Sequence, residues 1–159
     1  MGRVSTGVGY IAVILLGLSC GVMLTGAVIL VPFWRSLPAA EFLAWFAANA
    51  QHLEWLAGPL QIGAMLFSIL SAVLFAMAHR PGTLLFGVAA LLAIAVLATF
   101  LIYFRAVNAS FMDGTIPLDR VPAELAQWAS WQWVRMAAGL AAFCLAMIAM
   151  GGKSNAVSA

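Results

Sequence analysis

Four long apolar runs, separated by shorter stretches that contain most of the charged residues, dominate the hydrophobic pattern of the chain. The runs cover about residues 9–33, 53–78, 82–106 and 125–150. Each is longer than the roughly 20 residues that a helix needs to cross the hydrocarbon core of a bilayer. The pattern predicts an all-α integral membrane protein, a four-helix bundle formed by a single transmembrane domain over residues 1–159.

The connections between the runs differ in length and chemistry. Residues 79–82, His-Arg-Pro-Gly, predict a tight turn and therefore an antiparallel hairpin of the second and third spans. Residues 33–52 contain Pro38 and several aromatic residues, which predict a short interfacial helix between spans 1 and 2. The alternative is that the second span begins earlier, after a kink. Residues 107–124 are rich in turn-forming and charged residues and predict the largest exposed connection.

Composition agrees with a membrane protein and argues against nucleic-acid binding. Hydrophobic residues make up 65% of the chain and charged residues 8%, whereas about a quarter of residues are charged in soluble domains. The seven Lys and Arg residues are scattered rather than clustered, so no nucleic-acid partner is expected. We expect a protein of the bacterial inner membrane, surrounded by the lipid bilayer. Lys and Arg are divided almost evenly between the two sides, and we place both termini in the cytoplasm.

The sequence has no motif for hydrolysis, phosphoryl transfer or metal binding. It contains no nucleophile motif, phosphate-binding glycine loop or carboxylate pair. His52 and His79 would lie about 40 Å apart along one helix at 1.5 Å per residue, so they cannot ligate one haem within a subunit. We therefore expect neither a metal nor another cofactor.

Polar residues inside the apolar runs are the candidate site. Arg135 lies roughly ten residues into the fourth run, about 15 Å deep, where a charge costs about 2.5–3.5 kcal/mol on insertion scales. Polar side chains of the other runs fall in the same half of the bilayer, by the same count along each helix. Together they predict a polar ligand-binding pocket that opens on the side opposite the termini. Its candidate residues are Thr25, Gln61, Asn108, Trp128, Trp131, Gln132 and Arg135, and none is assigned a catalytic role.

A purely structural role for the same residues is the alternative. Arg135 would then extend to the membrane surface or pair with Glu54, and the tryptophans would anchor the chain at the interface. Against this interpretation, three helices contribute polar groups at similar depth. Ionisable residues within a membrane usually mark a pathway or a ligand, which favours the pocket.

The segment that joins the third and fourth runs resembles the DUF1772 family, also called the anthrone oxygenase family. The resemblance rests on Asn108-Ala-Ser-Phe111, the polar loop after it, and Trp128 followed seven residues later by Arg135. It implies a small four-span membrane protein that oxidises a polycyclic anthrone to an anthraquinone with molecular oxygen, without a metal or organic cofactor. It also implies that Asn108, Trp128, Gln132 and Arg135 form the substrate end of the bundle. Gln132 occupies a position where the family often has His, and an amide cannot act as a general base.

The sequence leaves two functions of different classes as alternatives. The first is that of an anthrone-oxygenase-like protein, which binds a flat lipophilic ligand, aromatic or quinone-like, with cofactor-independent oxidation as its activity. The second is that of a noncatalytic accessory subunit or assembly factor, whose partner is a larger membrane complex or a second copy of the chain. The small size of the chain and its incomplete catalytic set fit the second function.

Overall fold

Four long helices make up nearly all of the computed structural model, which describes residues 2–151. In chain order they are α1 (Gly2–Ser36), α2 (Ala39–Met77), α3 (Thr83–Met112) and α4 (Leu118–Gly151), and all four are long and apolar enough to cross a membrane. The described residues contain no strand. The predicted all-α four-helix bundle is therefore confirmed, and the chain is an integral membrane protein by the length and composition of its helices.

The helices are arranged as antiparallel neighbours around a square. α1 packs on α2 and α4, and α3 packs on the same two helices, whereas the diagonal pairs make few contacts. Short connections join consecutive helices, as in up-down-up-down bundles. One turn of α1 (Gly26–Leu30) and one of α3 (Phe100–Phe104) are π-helical, and α4 begins with a 3₁₀ turn (Leu118–Arg120).

The predicted interfacial helix between spans 1 and 2 is wrong, because α2 is continuous from Ala39 to Met77. Pro38 directly precedes its first residue, and Pro59 lies inside the helix without ending it. Residues 42, 43, 46 and 50 are buried at helical spacing, so the segment packs on the bundle instead of lying on a membrane surface. The second span thus begins earlier, as the alternative held.

Two clusters of buried side chains fill the bundle, one towards each end. The alanine core lies towards the chain termini and consists of Ala12, Val13, Leu16, Ala64, Phe75, Phe86, Ala89, Ala93, Ala142, Ala146 and Ala149. The aromatic core lies towards the other end and consists of Val31, Trp34, Phe42, Leu43, Phe46, Ala50, Phe104, Phe111, Val121, Leu125, Trp128 and Ala129.

Large exposed apolar side chains cover the outside of the bundle up to a common level. Towards the aromatic core this cover ends at Phe33 on α1 and Ile102 on α3, and it begins at Trp55 on α2 and Trp133 on α4. Beyond this boundary level, Leu118 is the only large apolar side chain that is exposed among the described residues. Because lipid covers apolar surface, we expect the edge of the bilayer at this boundary level, with most of the aromatic core beyond it.

Candidate functional site

A cavity of about 190 Å³ lies at the inner edge of the aromatic core, and all four helices line it. An engineered cavity of roughly 150 Å³ is large enough to bind benzene, so this one has room for a small ring system. The polar side chains in its lining are Glu54, Gln61, Asn108, Gln132 and Arg135; the aromatic ones are Trp34, Phe46, Phe100, Phe104 and Trp128.

Both π-helical turns border the cavity. Gly26 and Leu30 come from the π turn of α1, and Phe100 and Phe104 from that of α3. A π turn changes the rotation of the residues that follow it and is frequent at functional sites. A Cβ atom on Gly26 would lie 2.9 Å from Gln132 Nε2. The missing side chain of Gly26 therefore lets the amide of α4 approach α1.

Arg135 is held inside the bundle by α2 and α3. Its side chain is only 6% exposed. Its Nη2 donates a hydrogen bond of 2.9 Å to Gln61 Oε1, and its guanidinium carbon lies 4.3 Å from the ring centroid of Phe104. In the part of the chain that the structure describes, Arg135 forms no ion pair with Glu54 or another carboxylate. The arginine therefore has no fixed counter-charge, and its side chain is held inside the bundle and does not extend to the membrane surface. Its backbone lies only two residues, about 3 Å, inside the boundary level at Trp133, so the predicted depth of about 15 Å is wrong.

Two further hydrogen bonds connect the helices around the cavity. Gln132 Nε2 donates to the backbone oxygen of Met23 over 2.8 Å, which joins α4 to α1. Trp128 Nε1 donates to Asn108 Oδ1 over 3.0 Å, which joins α4 to α3. The Trp128 ring also packs edge-on against Trp34 at a centroid distance of 5.2 Å. The polar and aromatic walls are thus fixed by contacts between helices.

Three buried polar atoms, each on a residue that lines the cavity, have no hydrogen-bond partner within the protein. They are the donors Trp34 Nε1 and Arg135 Nε and the acceptor Gln132 Oε1. Within residues 2–151 one other buried side-chain atom is unpaired, Ser68 Oγ, and it lies outside this cavity. A buried unpaired group costs about 1–3 kcal/mol, so three around one cavity require an explanation.

The structure brings five of the seven predicted site residues together and separates two. Gln61, Asn108, Trp128, Gln132 and Arg135 all line the cavity. The other two are corrected here. Thr25 is exposed, and its hydroxyl donates to the Gly21 backbone oxygen over 2.9 Å. Trp131 lies outside the cavity, where its ring stacks on Tyr103 at 5.5 Å.

The rotation of each residue about its helix explains these two corrections. At about 100° per residue, Thr25 is turned roughly 100° away from Gly26, which faces the cavity. On α4, Trp131 and Gln132 lie on opposite sides of the direction of Trp128, at roughly 60° and 40° from it. The side of α4 that faces the cavity extends from Gln132 through Trp128 to Arg135, which lies roughly 20° from Trp128 in the direction of Trp131. Trp131 lies beyond this range and faces the Tyr103 side chain, whose hydroxyl donates to Glu124 Oε1 over 2.8 Å.

Sequence reasoning missed most of the aromatic wall. Trp34, Phe46, Phe100 and Phe104 line the cavity, but aromatic residues near the ends of apolar runs are typical of interface anchors. A usable signal for Phe46 was the spacing of Phe42, Phe46 and Ala50, which predicts one buried helix face.

Comparison with known proteins identifies no relative: no family model, curated protein or solved structure matches the chain. The fold and the cavity define the class on their own. This is a four-helix integral membrane protein with a partly polar cavity that all four helices line.

Proposed function

We propose that this protein binds a flat lipophilic ligand, aromatic or quinone-like, in the cavity between its helices. The observation that carries the proposal is the set of three unpaired buried atoms in one cavity. The two donors, Trp34 Nε1 and Arg135 Nε, suit the carbonyl oxygens of a quinone, and the acceptor Gln132 Oε1 suits a hydroxyl of the reduced ring. A ligand of this kind would supply the hydrogen bonds that the protein leaves unmade.

The aromatic wall supports a flat ring as the ligand. Aromatic pairs in stacked or edge-to-face geometry contribute about 0.5–1.5 kcal/mol each beyond the burial of their area. Trp34 is held in place by Phe46 at 5.5 Å and by Trp128 at 5.2 Å. Because these rings are already fixed by one another, a ligand loses little energy in ordering them.

Oxidation of the bound ring, as the resemblance to anthrone oxygenases implies, is a further proposal on the same site. Arg135 would stabilise an oxyanion that forms on the ligand. Gln132 cannot accept a proton as a base, and Glu54 is the only carboxylate of the described chain that lines the cavity. Glu54 is therefore the residue that would accept a proton. With both termini in the cytoplasm, the cavity would lie towards the opposite face of the membrane.

A binding titration with 2-methyl-1,4-naphthoquinone tests the proposal, because quinones quench the fluorescence of nearby tryptophans such as Trp34 and Trp128. We expect saturable quenching of the purified protein in nanodiscs. Arg135→Met should weaken binding about 10- to 100-fold, since hydrogen bonds of charged groups contribute about 1.5–3 kcal/mol. The matched control is Val134→Met, on the adjacent side chain that is 55% exposed, which should bind like the wild type.

Two results would contradict ligand binding. One is quenching that does not saturate in the wild type, and the other is equal affinity in Arg135→Met and Val134→Met. Mass spectrometry of the protein extracted gently from its native membrane adds a second measurement. An aromatic or quinone-like small molecule supports the proposal, whereas a stoichiometric protein partner without one supports the accessory-subunit function.

A further inference from the structure

The open side of the cavity lies along α2. Ile62 is the one lining residue that is exposed, at 45%. The other half-buried lining residues are Leu53, Glu54, Ala57 and Gly58 on α2, Val22 and Leu30 on α1, and Leu97 and Phe100 on α3, whereas the lining residues of α4 are all buried. A residue that lines a cavity and also reaches the outer surface stands at its rim. The opening therefore runs along α2 from residue 53 to residue 62.

The wall of the cavity has a gap at Gly58, which has no side chain. A Cβ atom at this position would meet no other atom within 4 Å. The next residue is Pro59, inside the helix, where proline has no N–H to donate to the preceding turn. The opening thus has a gap in side chains beside a weakened stretch of helix.

The surface around this opening faces lipid. Trp55, Leu56 and Leu66 are exposed by 69%, 55% and 53%, on the same stretch of α2 as Ile62. Trp55 stands at the boundary level, as exposed tryptophans do at the head-group region of a bilayer. Ile62 comes seven residues later, about 10 Å deeper along the helix at 1.5 Å per residue. The opening therefore extends from the head-group level into the hydrocarbon.

The size and charge of the cavity narrow the class of ligand. A volume of about 190 Å³ holds a small ring system but not a long chain beside it. Glu54 at the rim would repel an anionic head group, whereas Trp34 and Arg135, which line the cavity, carry the unpaired donors Nε1 and Nε. A ligand with an uncharged ring and an apolar tail satisfies both conditions.

We infer that the ligand enters sideways from the bilayer, past Gly58, and that it is a quinone with an alkyl or isoprenoid tail. The ring occupies the cavity, and the tail stays in the lipid along Ile62 and Leu66. This inference rests on the proposed function, which requires only that a ring binds.

Spin labels distinguish an opening to lipid from an opening to water. A single label is attached to Gly58→Cys in a protein in which Cys20→Ser and Cys144→Ser remove the free thiols. Collisions with oxygen, which concentrates in hydrocarbon, are compared with collisions with a water-soluble nickel complex. Labels at Ala137→Cys, exposed on α4 about 6 Å inside the boundary level and so at a depth similar to that of position 58, and at Glu41→Cys, exposed beyond the boundary level, give the two reference values.

We expect the label at position 58 to behave like the one at position 137, and decyl-benzoquinone to shield it from oxygen. A label that collides with the nickel complex as often as the one at position 41 overturns the lateral path. The same label at Ile62→Cys gives a second, independent reading. In either case the naphthoquinone titration still reports whether a ring binds, so failure of the path and failure of the proposed function are distinguishable.

Closing the opening with a side chain tests the path directly. Gly58→Leu should slow association of decyl-benzoquinone about tenfold or more, because the gap through which it passes is filled. The matched control is Gly87→Leu: Gly87 also has no atom within 4 Å of its Cβ position, and it does not line the cavity. Association in Gly58→Leu as fast as in Gly87→Leu overturns the inference.

Discussion

The alanine core and the aromatic core are parts of one bundle, but they pack in different ways. In the alanine core, side chains such as Ala89, Ala142 and Ala146 are fully buried, and the nearby cavity has a volume of only about 10 Å³. Beside the aromatic core the cavity is about 190 Å³. Small side chains let helix backbones approach closely, whereas large rigid rings hold the helices apart. The difference shows how one bundle is closely packed at one end and contains a cavity towards the other.

Hydrogen bonds of polar side chains are arranged differently at the two ends. Near the alanine core, Ser71 Oγ donates to the backbone oxygen of Phe67 in its own helix over 2.7 Å. Around the cavity, the side chains of Trp128, Gln132 and Arg135 each form a hydrogen bond to another helix. At the closed end Arg80 Nη1, in the turn between α2 and α3, donates to Ser5 Oγ and Thr6 Oγ1 of α1 over 3.2 and 2.8 Å. The closed end thus joins a turn to a helix by hydrogen bonds, and the open end joins helices to one another around the cavity.

The largest effect on stability is expected when one alanine in each region is replaced by leucine, Ala142→Leu in the alanine core and Ala57→Leu beside the cavity. Ala142 has no exposed surface, so three added carbons must displace neighbours, and we expect a loss of about 3 kcal/mol in the free energy of unfolding. Ala57 borders the cavity, so its leucine should change stability by less than about 0.5 kcal/mol while weakening naphthoquinone binding. Unfolding by sodium dodecyl sulfate from mixed micelles measures both. Equal losses would contradict the difference in packing.

A smaller effect is expected when the hydrogen-bonded pair at the open end is broken. Gln61→Leu leaves the buried guanidinium of Arg135 without its acceptor, which should cost about 2 kcal/mol in the free energy of unfolding. Gln61→Leu combined with Arg135→Met should recover most of that loss, because an apolar pair can replace a buried polar one at little cost. The four proteins form a double-mutant cycle. A coupling energy near zero would show that the pair does not stabilise the open end.

The fold could be predicted from the sequence because its main determinants are local. The length of each apolar run and the turn at residues 79–82 suffice to define four spans and one hairpin. The start of α2 could not be predicted from run length, because Phe42 and Phe46 are buried by other helices outside the lipid-covered region. Whether such aromatic residues lie on a membrane surface or inside a bundle is decided by tertiary contacts.

For the candidate site, the sequence predicts which residues share one face of a helix, but not which faces of different helices meet. Trp128, Gln132 and Arg135 line one cavity because helical spacing places them on one side of α4. Thr25 does not line the cavity, because depth along a helix does not determine which way a side chain faces. The π turn that begins at Gly26 adds a change of rotation that an apolar pattern does not reveal. The rotation of each helix is fixed only by its packing partners.

The smallest expected effect is a difference in stability between Gly82→Ala and Gly114→Ala, which change the turns at the two ends of the bundle. Both glycines have positive φ, 95° for Gly82 and 62° for Gly114, so alanine strains either turn by about 1 kcal/mol. A Cβ on Gly82 would also lie 2.9 Å from the backbone oxygen of Ala149, whereas one on Gly114 would meet nothing within 4 Å. We therefore expect Gly82→Ala to lose about 1 kcal/mol more in the free energy of unfolding than Gly114→Ala. Equal losses in the same micelle assay would mean that the turn is not packed on α4, and that the close packing of the alanine core ends before it reaches this end of the bundle.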